Sequence, residues 1–371
     1  MGSLKISRGD MIVKDTEFKK ISTQIKNNIN EELRISINSH KDINMSNWEV
    51  THTFDTLNSA NNKMNILQMI SEYIATGGFK EDIFIMDKSF NIKTNYIDYF
   101  KHGSRLNINE YRSLQKVIYM GNIISFNFNE NLANIQYILG HFYLCSTEVW
   151  NSLKLRLPGE ILLKSIEMYR ASANMLDILE GMFINTRRIV DNAVSDSKTI
   201  QAETYQRLMG KLQNNLDISL KKYNKYMEDK AKNTHNEFLR AFKTRSRPIV
   251  GVYNDKDGYF DILNYEQMYM KGTLSKTELR LISITRNSPI VILISTVGIM
   301  SATMWYLHKR QQKVDNEDTP KTDFAIVDKL MGNEDDDIRN LGADTLNTIN
   351  EVTNINKVIV NIEEYRDHQN K

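Results

Sequence analysis

Apolar residues along this chain recur mostly at spacings of three and four, the pattern of helices that bury one face. Phe18, Ile21, Ile25, Ile29 and Leu33 predict an amphipathic helix between Val13 and Ile37, with Asp15 as its N-cap. A second helix is predicted from Leu57 to Ala75 through Ala60, Met64, Leu67 and Ile70, stopped by Gly77 and Gly78. The period returns between Asn109 and Leu157, through Tyr111, Leu114, Val117, Ile118, Leu132, Ile135, Ile138, Leu139, Phe142 and Val149. Pro158 either closes that run or opens the next, because a proline in the first turn sacrifices no internal hydrogen bond. Another run spans Gly159 to Val194, with Leu162, Ile166, Tyr169, Leu179, Met182 and Ile189 on its stripe. From Asp196 to Arg245 there is no proline and one glycine, Gly210. Unbroken, that stretch makes a helix about 75 Å long, a stalk or one arm of an antiparallel hairpin. The alternative is two shorter helices parted near residues 232–234.

Two stretches depart from this period. Ile83 to Met86 is a short apolar run, Asp87-Lys88-Ser89 is turn-like, and Phe90, Ile92 and Tyr96 follow, so a β-hairpin is predicted near residues 82–99. Arg247 must leave the helix because it precedes Pro248. Beyond it Ile249, Val250, Val252 and Tyr253 read as a strand, Asn254 to Gly258 as a loop and Tyr259 to Leu263 as the returning strand.

Pro289 to Leu307 holds no charge and stops against His308, Lys309 and Arg310. As a helix its roughly 19 residues would extend about 28 Å, close to the hydrocarbon thickness of a bilayer. With Trp305 and Tyr306 at one end, this predicts a single transmembrane helix. Gly298 and Ala302, four apart, form a small-xxx-small pair for helix packing. Basic residues flank the span equally, so the charge rule leaves its orientation open. Absence of an export signal near the N-terminus leans the large N-terminal body towards a cytosolic or virion-interior side. In the tail Ile338, Leu341, Thr345, Thr348, Val352, Ile355, Ile359 and Ile362 alternate at three and four, a heptad seam expected to oligomerise.

Composition adds three constraints. With 4 prolines and 16 glycines in 371 residues, long helices are favoured over a turn-rich β fold. The wealth of Asn, Ile, Lys and Tyr matches AT-rich genomes, among them many phages and other viruses. The net charge of +2 hides a tail from residue 308 with 9 Lys/Arg against 14 Asp/Glu. The compensating positive charge is spread thinly over the rest, which makes nucleic acid an unlikely partner.

Chemistry-bearing motifs are scarce. Cys145 is alone, so no intramolecular disulfide forms. His141 lies four residues before it among apolar neighbours and reads as a core histidine with no third group in sequence to orient it. Asp255, Asp257 and Gly258 fall short of an EF-hand loop, since Tyr253 and Asn264 occupy places that need acids, so a hairpin turn is expected. Asp335, Asp336 and Asp337 favour the start of a helix through its dipole. No phosphate loop, nucleophile elbow or paired metal spacing is present, so no cofactor or metal and no enzymatic activity is expected.

The fold expected from these patterns is mainly α: an elongated multi-helix body with small β-hairpins, one transmembrane helix and a C-terminal coiled-coil-like helix. Its divisions are a helical body at 1–245, a membrane-proximal hairpin region at 246–288, the span at 289–307, a charged linker at 308–334 and an acidic helical tail at 335–371. The expected function is a single-pass, membrane-anchored structural or scaffold protein, viral or phage in character, that self-assembles into a homo-oligomer. Lipid bilayer and other structural proteins are its expected partners. The competing expectation is a membrane-bound ligand-binding or sensing module that signals through the helix.

Overall fold

The computed structural model describes residues 33–38, 47–89, 105–196, 202–263, 280–285, 291–296, 335–355 and 359–363. In chain order its main elements are β1 (Leu33–Asn38), α1 (Asn47–Ala75), β2 (Ile83–Ser89), β3 (Arg105–Asn107), α2 (Tyr111–Met120), β4 (Ile123–Ser125) and α3 (Glu130–Leu153). There follow α4 (Gly159–Arg170), α5 (Met175–Asp196), α6 (Ala202–Thr244), β5 (Pro248–Asn254), β6 (Tyr259–Ile262), β7 (Arg280–Thr285), β8 (Val291–Thr296), α7 (Asp336–Ile355) and β9 (Ile359–Glu363). The fold is thus mainly helical, with small antiparallel sheets. Contacts divide it into two compact units: Thr76–Tyr269, and Met1–Ala75 together with Met270–Lys371.

The Thr76–Tyr269 unit is built on an antiparallel sheet of order β3-β6-β5-β2-β4. β5 and β2 are central because nearly every residue of the first and Ile83 to Met86 of the second are buried, as strands covered on both faces require. Phe84 lies opposite Gly251, where a Cβ would stand 2.6 Å from the phenyl ring, so only glycine lets the strands close there. The ring of Phe84 meets Phe260 edge-on at 5.4 Å, and Tyr253 tilts against Phe260 at 5.3 Å.

Helices α3 and α6 run antiparallel. α6 is continuous over 43 residues, about 64 Å at 1.5 Å per residue, and Gly210 does not break it. It is packed along its length and is not a free stalk. Leu208, Leu212 and Leu216 enter the core shared with α3 and α5; Phe238 and Phe242 are buried further along, where the helix meets β2 and β4. A half-buried polar ladder links the two helices: Tyr137 donates to the Ser219 carbonyl at 2.5 Å and Tyr223 to Asn134 Oδ1 at 2.6 Å.

Several predicted runs are divided. The helical run from Asn109 breaks at Gly121, whose φ of +103° suits only glycine, and Ile123–Ser125 becomes an edge strand. Asn129 then caps α3 by accepting from Leu132 N at 3.1 Å. The run ends at Leu153, where Lys154 turns left-handed at φ 57°, and Pro158 stands at the N-cap of α4. The stretch to Val194 splits at Ser172, which has φ 64°. The predicted hairpin near 82–99 has its first strand, β2, but β2 pairs with β4 and β5; residues 90–104 lie outside the described ones. The expected hairpin from Ile249 to Ile262 is present, with Asn254 opposite Tyr259 and Gly251 opposite Ile262.

In the Met1–Ala75 and Met270–Lys371 unit, four strands pair antiparallel in the order β7-β8-β1-β9. Two expectations are corrected here. Leu33–Asn38 is a strand and not the end of a helix, because Leu33, Ile35 and Ile37 also alternate at two, which suits a sheet once neighbours exist. Val291–Thr296 is likewise a strand between β1 and β7, where a continuous transmembrane helix was expected. Val291, Ile292, Ile294 and Thr296 are β-branched, and their backbone groups are satisfied by two flanking strands instead of by a helix. No described helix is long and apolar enough to cross a membrane.

The tail is corrected in its last third. α7 is helical to Ile355, but Ile359 and Ile362 belong to β9 and pair with β1, Ile35 lying opposite Ile362. Helix α7 packs along α1 of the same chain. Ile338, Leu341, Leu346 and Ile349 are buried while Thr348 is exposed, so the stripe follows the 3.6-residue turn of a helix on a globular core.

Candidate functional site

Between α2 and α3 opens a cavity of about 510 Å³, within the range of small-molecule sites. Its floor is the end of β2 and the Gly121–Asn122 turn. Asp87 holds that turn: Oδ1 accepts from Asn122 N at 2.9 Å, Oδ2 accepts from Asn122 Nδ2 at 2.8 Å, and Asp87 N donates to Asn122 O at 2.9 Å. Gln136 of α3 continues the network, donating to Asn122 Oδ1 at 2.8 Å and accepting from Ile123 N at 2.8 Å. Lys88 donates to the Tyr119 carbonyl at 3.1 Å and pins the end of α2 to β2. These bonds make the floor rigid, which a binding site needs.

The walls are helical. Tyr111 of α2 is wedged against Gly159, where a Cβ would stand 2.2 Å from the ring, and meets Phe142 edge-on at 6.4 Å. Its hydroxyl accepts from Gln115 Nε2 at 2.9 Å. Tyr119 of α2 and Tyr143 of α3 are 60% and 55% exposed, so each wall offers an aromatic side chain to solvent. Ser146 also lines the cavity, and its Oγ is buried without a hydrogen-bond partner. Above Gly140 nothing lies within 4 Å of where a Cβ would stand.

The histidine and cysteine singled out in the sequence sit beside this cavity but inside the core. His141 Nδ1 lies 3.0 Å from Ser219 Oγ, and its Nε2 lies 3.7 Å from Cys145 Sγ. Ser219, on α6, is the orienting partner that sequence spacing did not reveal. Burial lowers the His141 pKa to about 4 and pushes the Cys145 thiol up to about 12. A neutral imidazole beside a protonated, buried thiol is the opposite of an activated nucleophile. The group works as a helix-pairing contact.

Other predicted positions are also structural. Tyr253 donates to Asp255 Oδ1 at 2.8 Å, and burial raises its hydroxyl pKa. Asn254 accepts from Asp257 N at 3.1 Å and donates to Asp257 Oδ2 at 3.0 Å, closing the hairpin turn. Asp335 Oδ1 accepts from Asp337 N at 3.1 Å and from Ile338 N at 3.4 Å, capping α7, and Asp336 and Asp337 lie in its first turn. Among the described residues no three His, Cys, Asp or Glu side chains gather to hold a metal ion. Of the assembly residues, Ile338 and Leu341 are buried within their own unit, Val352 and Ile355 lie on the last turns of α7, and Ile359 and Ile362 on β9. Gly298 and Ala302 lie outside the described residues.

Sequence reasoning missed the cavity. Asp87, Asn122 and Gln136 are 35 and 14 residues apart, and only Asp87 had been noted, as a turn residue. The Gly121-Asn122 pair between two helical runs was the available signal, since Gly and Asn punctuate helices.

A scan of protein-family models, a search of curated proteins and a search of solved structures each find no match to this chain.

Proposed function

We propose that this chain is a structural scaffold protein that associates with further copies of itself, and that it works by binding and not by catalysis. The observation that carries this is the surface of three mutually packed helices. α3 leaves Leu144 and Trp150 exposed, α5 leaves Leu176 and Ile184, and α6 leaves Ile218. Large apolar side chains left exposed on packed helices are candidate association positions, and covering each would remove apolar surface from water at about 25 cal/mol per Å².

The test is the mass of the full chain by light scattering beside a Leu144→Lys, Ile184→Lys variant. A fall to the monomer mass is expected. A variant that keeps the parent's mass, or a parent that is monomeric at high concentration, rejects the reading.

A further inference from the structure

From the cavity between α2 and α3 we infer a binding site for a neutral ring sugar. The lining brings together polar groups from three elements with hydrogen-bonding capacity left over. Asp87 keeps acceptor lone pairs beyond its two bonds to Asn122, and Lys88 keeps donors beyond its bond to Tyr119. Tyr111 accepts from Gln115, which leaves the phenol proton to donate, and Tyr143 of α3 adds the hydroxyl of a half-exposed side chain. Donors and acceptors carried by three elements therefore line one cavity, as a ligand with hydroxyls around its edge requires.

Charge and shape narrow the class further. One carboxylate and one ammonium, Asp87 and Lys88, adjoin in the lining and leave no net charge there, which disfavours a phosphate or a polyanion. The rim supplies Tyr119 and Tyr143, half exposed, whose rings combine an apolar face with a polar tip. Such faces pack on the C–H face of a pyranose while its hydroxyls meet the polar groups. The cavity is also large enough for such a ring and open to solvent at the tyrosine rim. This inference is independent of self-association: it uses neither Leu144, Trp150 nor Ile184.

The test uses the full chain and four free sugars: glucose, mannose, galactose and N-acetylglucosamine. Saturation-transfer NMR is expected to detect at least one of them, with binding that Tyr143→Ala and Gly140→Leu each weaken about tenfold or more. Gly140→Leu fills open space and is expected to keep the fold, which circular dichroism checks; Tyr143→Ala removes an exposed ring and supplies the second, independent probe. Ile184→Lys is expected to leave sugar binding intact while lowering the mass, which separates this site from the association surface. No signal from any sugar at 100 mM overturns the inference. So does equal binding in both cavity variants, or binding of adenosine or uridine in place of all four sugars.

Discussion

Replacing Gly121 by alanine tests the floor of the cavity directly. At φ 103° and ψ −155° a side chain is strained whatever the space around it, a cost of about 1–3 kcal/mol. The new Cβ would also stand 1.8 Å from Asp87 Oδ1, so the carboxylate must swing away from Asn122. That movement loses two hydrogen bonds, at 2.9 and 2.8 Å, each contributing about 0.5–1.5 kcal/mol. Alanine returns about 0.4–1 kcal/mol by restricting the unfolded chain. The net expectation is a destabilisation of about 1–5 kcal/mol, read from urea unfolding followed by Trp150 fluorescence in a background where Trp48 and Trp305 are phenylalanine. A double-mutant cycle with Asp87→Ala separates the two causes, since without the carboxylate only the backbone strain remains. The reasoning is refuted if Gly121→Ala costs less than about 0.5 kcal/mol, or if its cost is the same with and without Asp87.

Two further outcomes follow from the buried pair. The folded pKa of His141 is lowered to about 4 by burial, against about 6.5 when unfolded. The unfolded chain therefore binds the extra proton between those values, and the stabilisation, complete above about pH 6.5, is lost as pH falls towards 4. The loss is on the order of 3 kcal/mol; His141→Gln is expected to flatten the slope of stability against pH in that window, and an unchanged slope refutes the assignment. Cys145 is 1% exposed with its thiol pushed up to about 12. Alkylation by iodoacetamide at pH 8, followed by mass spectrometry, is expected to be at least about a hundredfold slower in the native chain than in 8 M urea; comparable rates would mean that the α3–α6 seam opens readily.

What the sequence alone determined is the local periodicity. Residues 202–244 form one helix because the chain there lacks proline and its apolar positions keep a single face. The Pro248–Ile262 hairpin was legible because proline, a charged loop and alternating residues agree over a short distance. Tertiary structure decided the rest. Leu33–Asn38 and Val291–Thr296 suit either a helix or a strand by composition, and more than 250 residues separate these partners, so pairing chose between them. Ile338 and Leu341 suit any apolar seam, and α1 of the same chain occupies it. The cavity was beyond sequence reading for the same reason: Asp87, Asn122 and Gln136 are ordinary polar residues until the fold sets them in one network. Periodicity specifies which face of an element is apolar. Which element covers that face depends on contacts between distant parts of the chain, and local spacing carries no record of them.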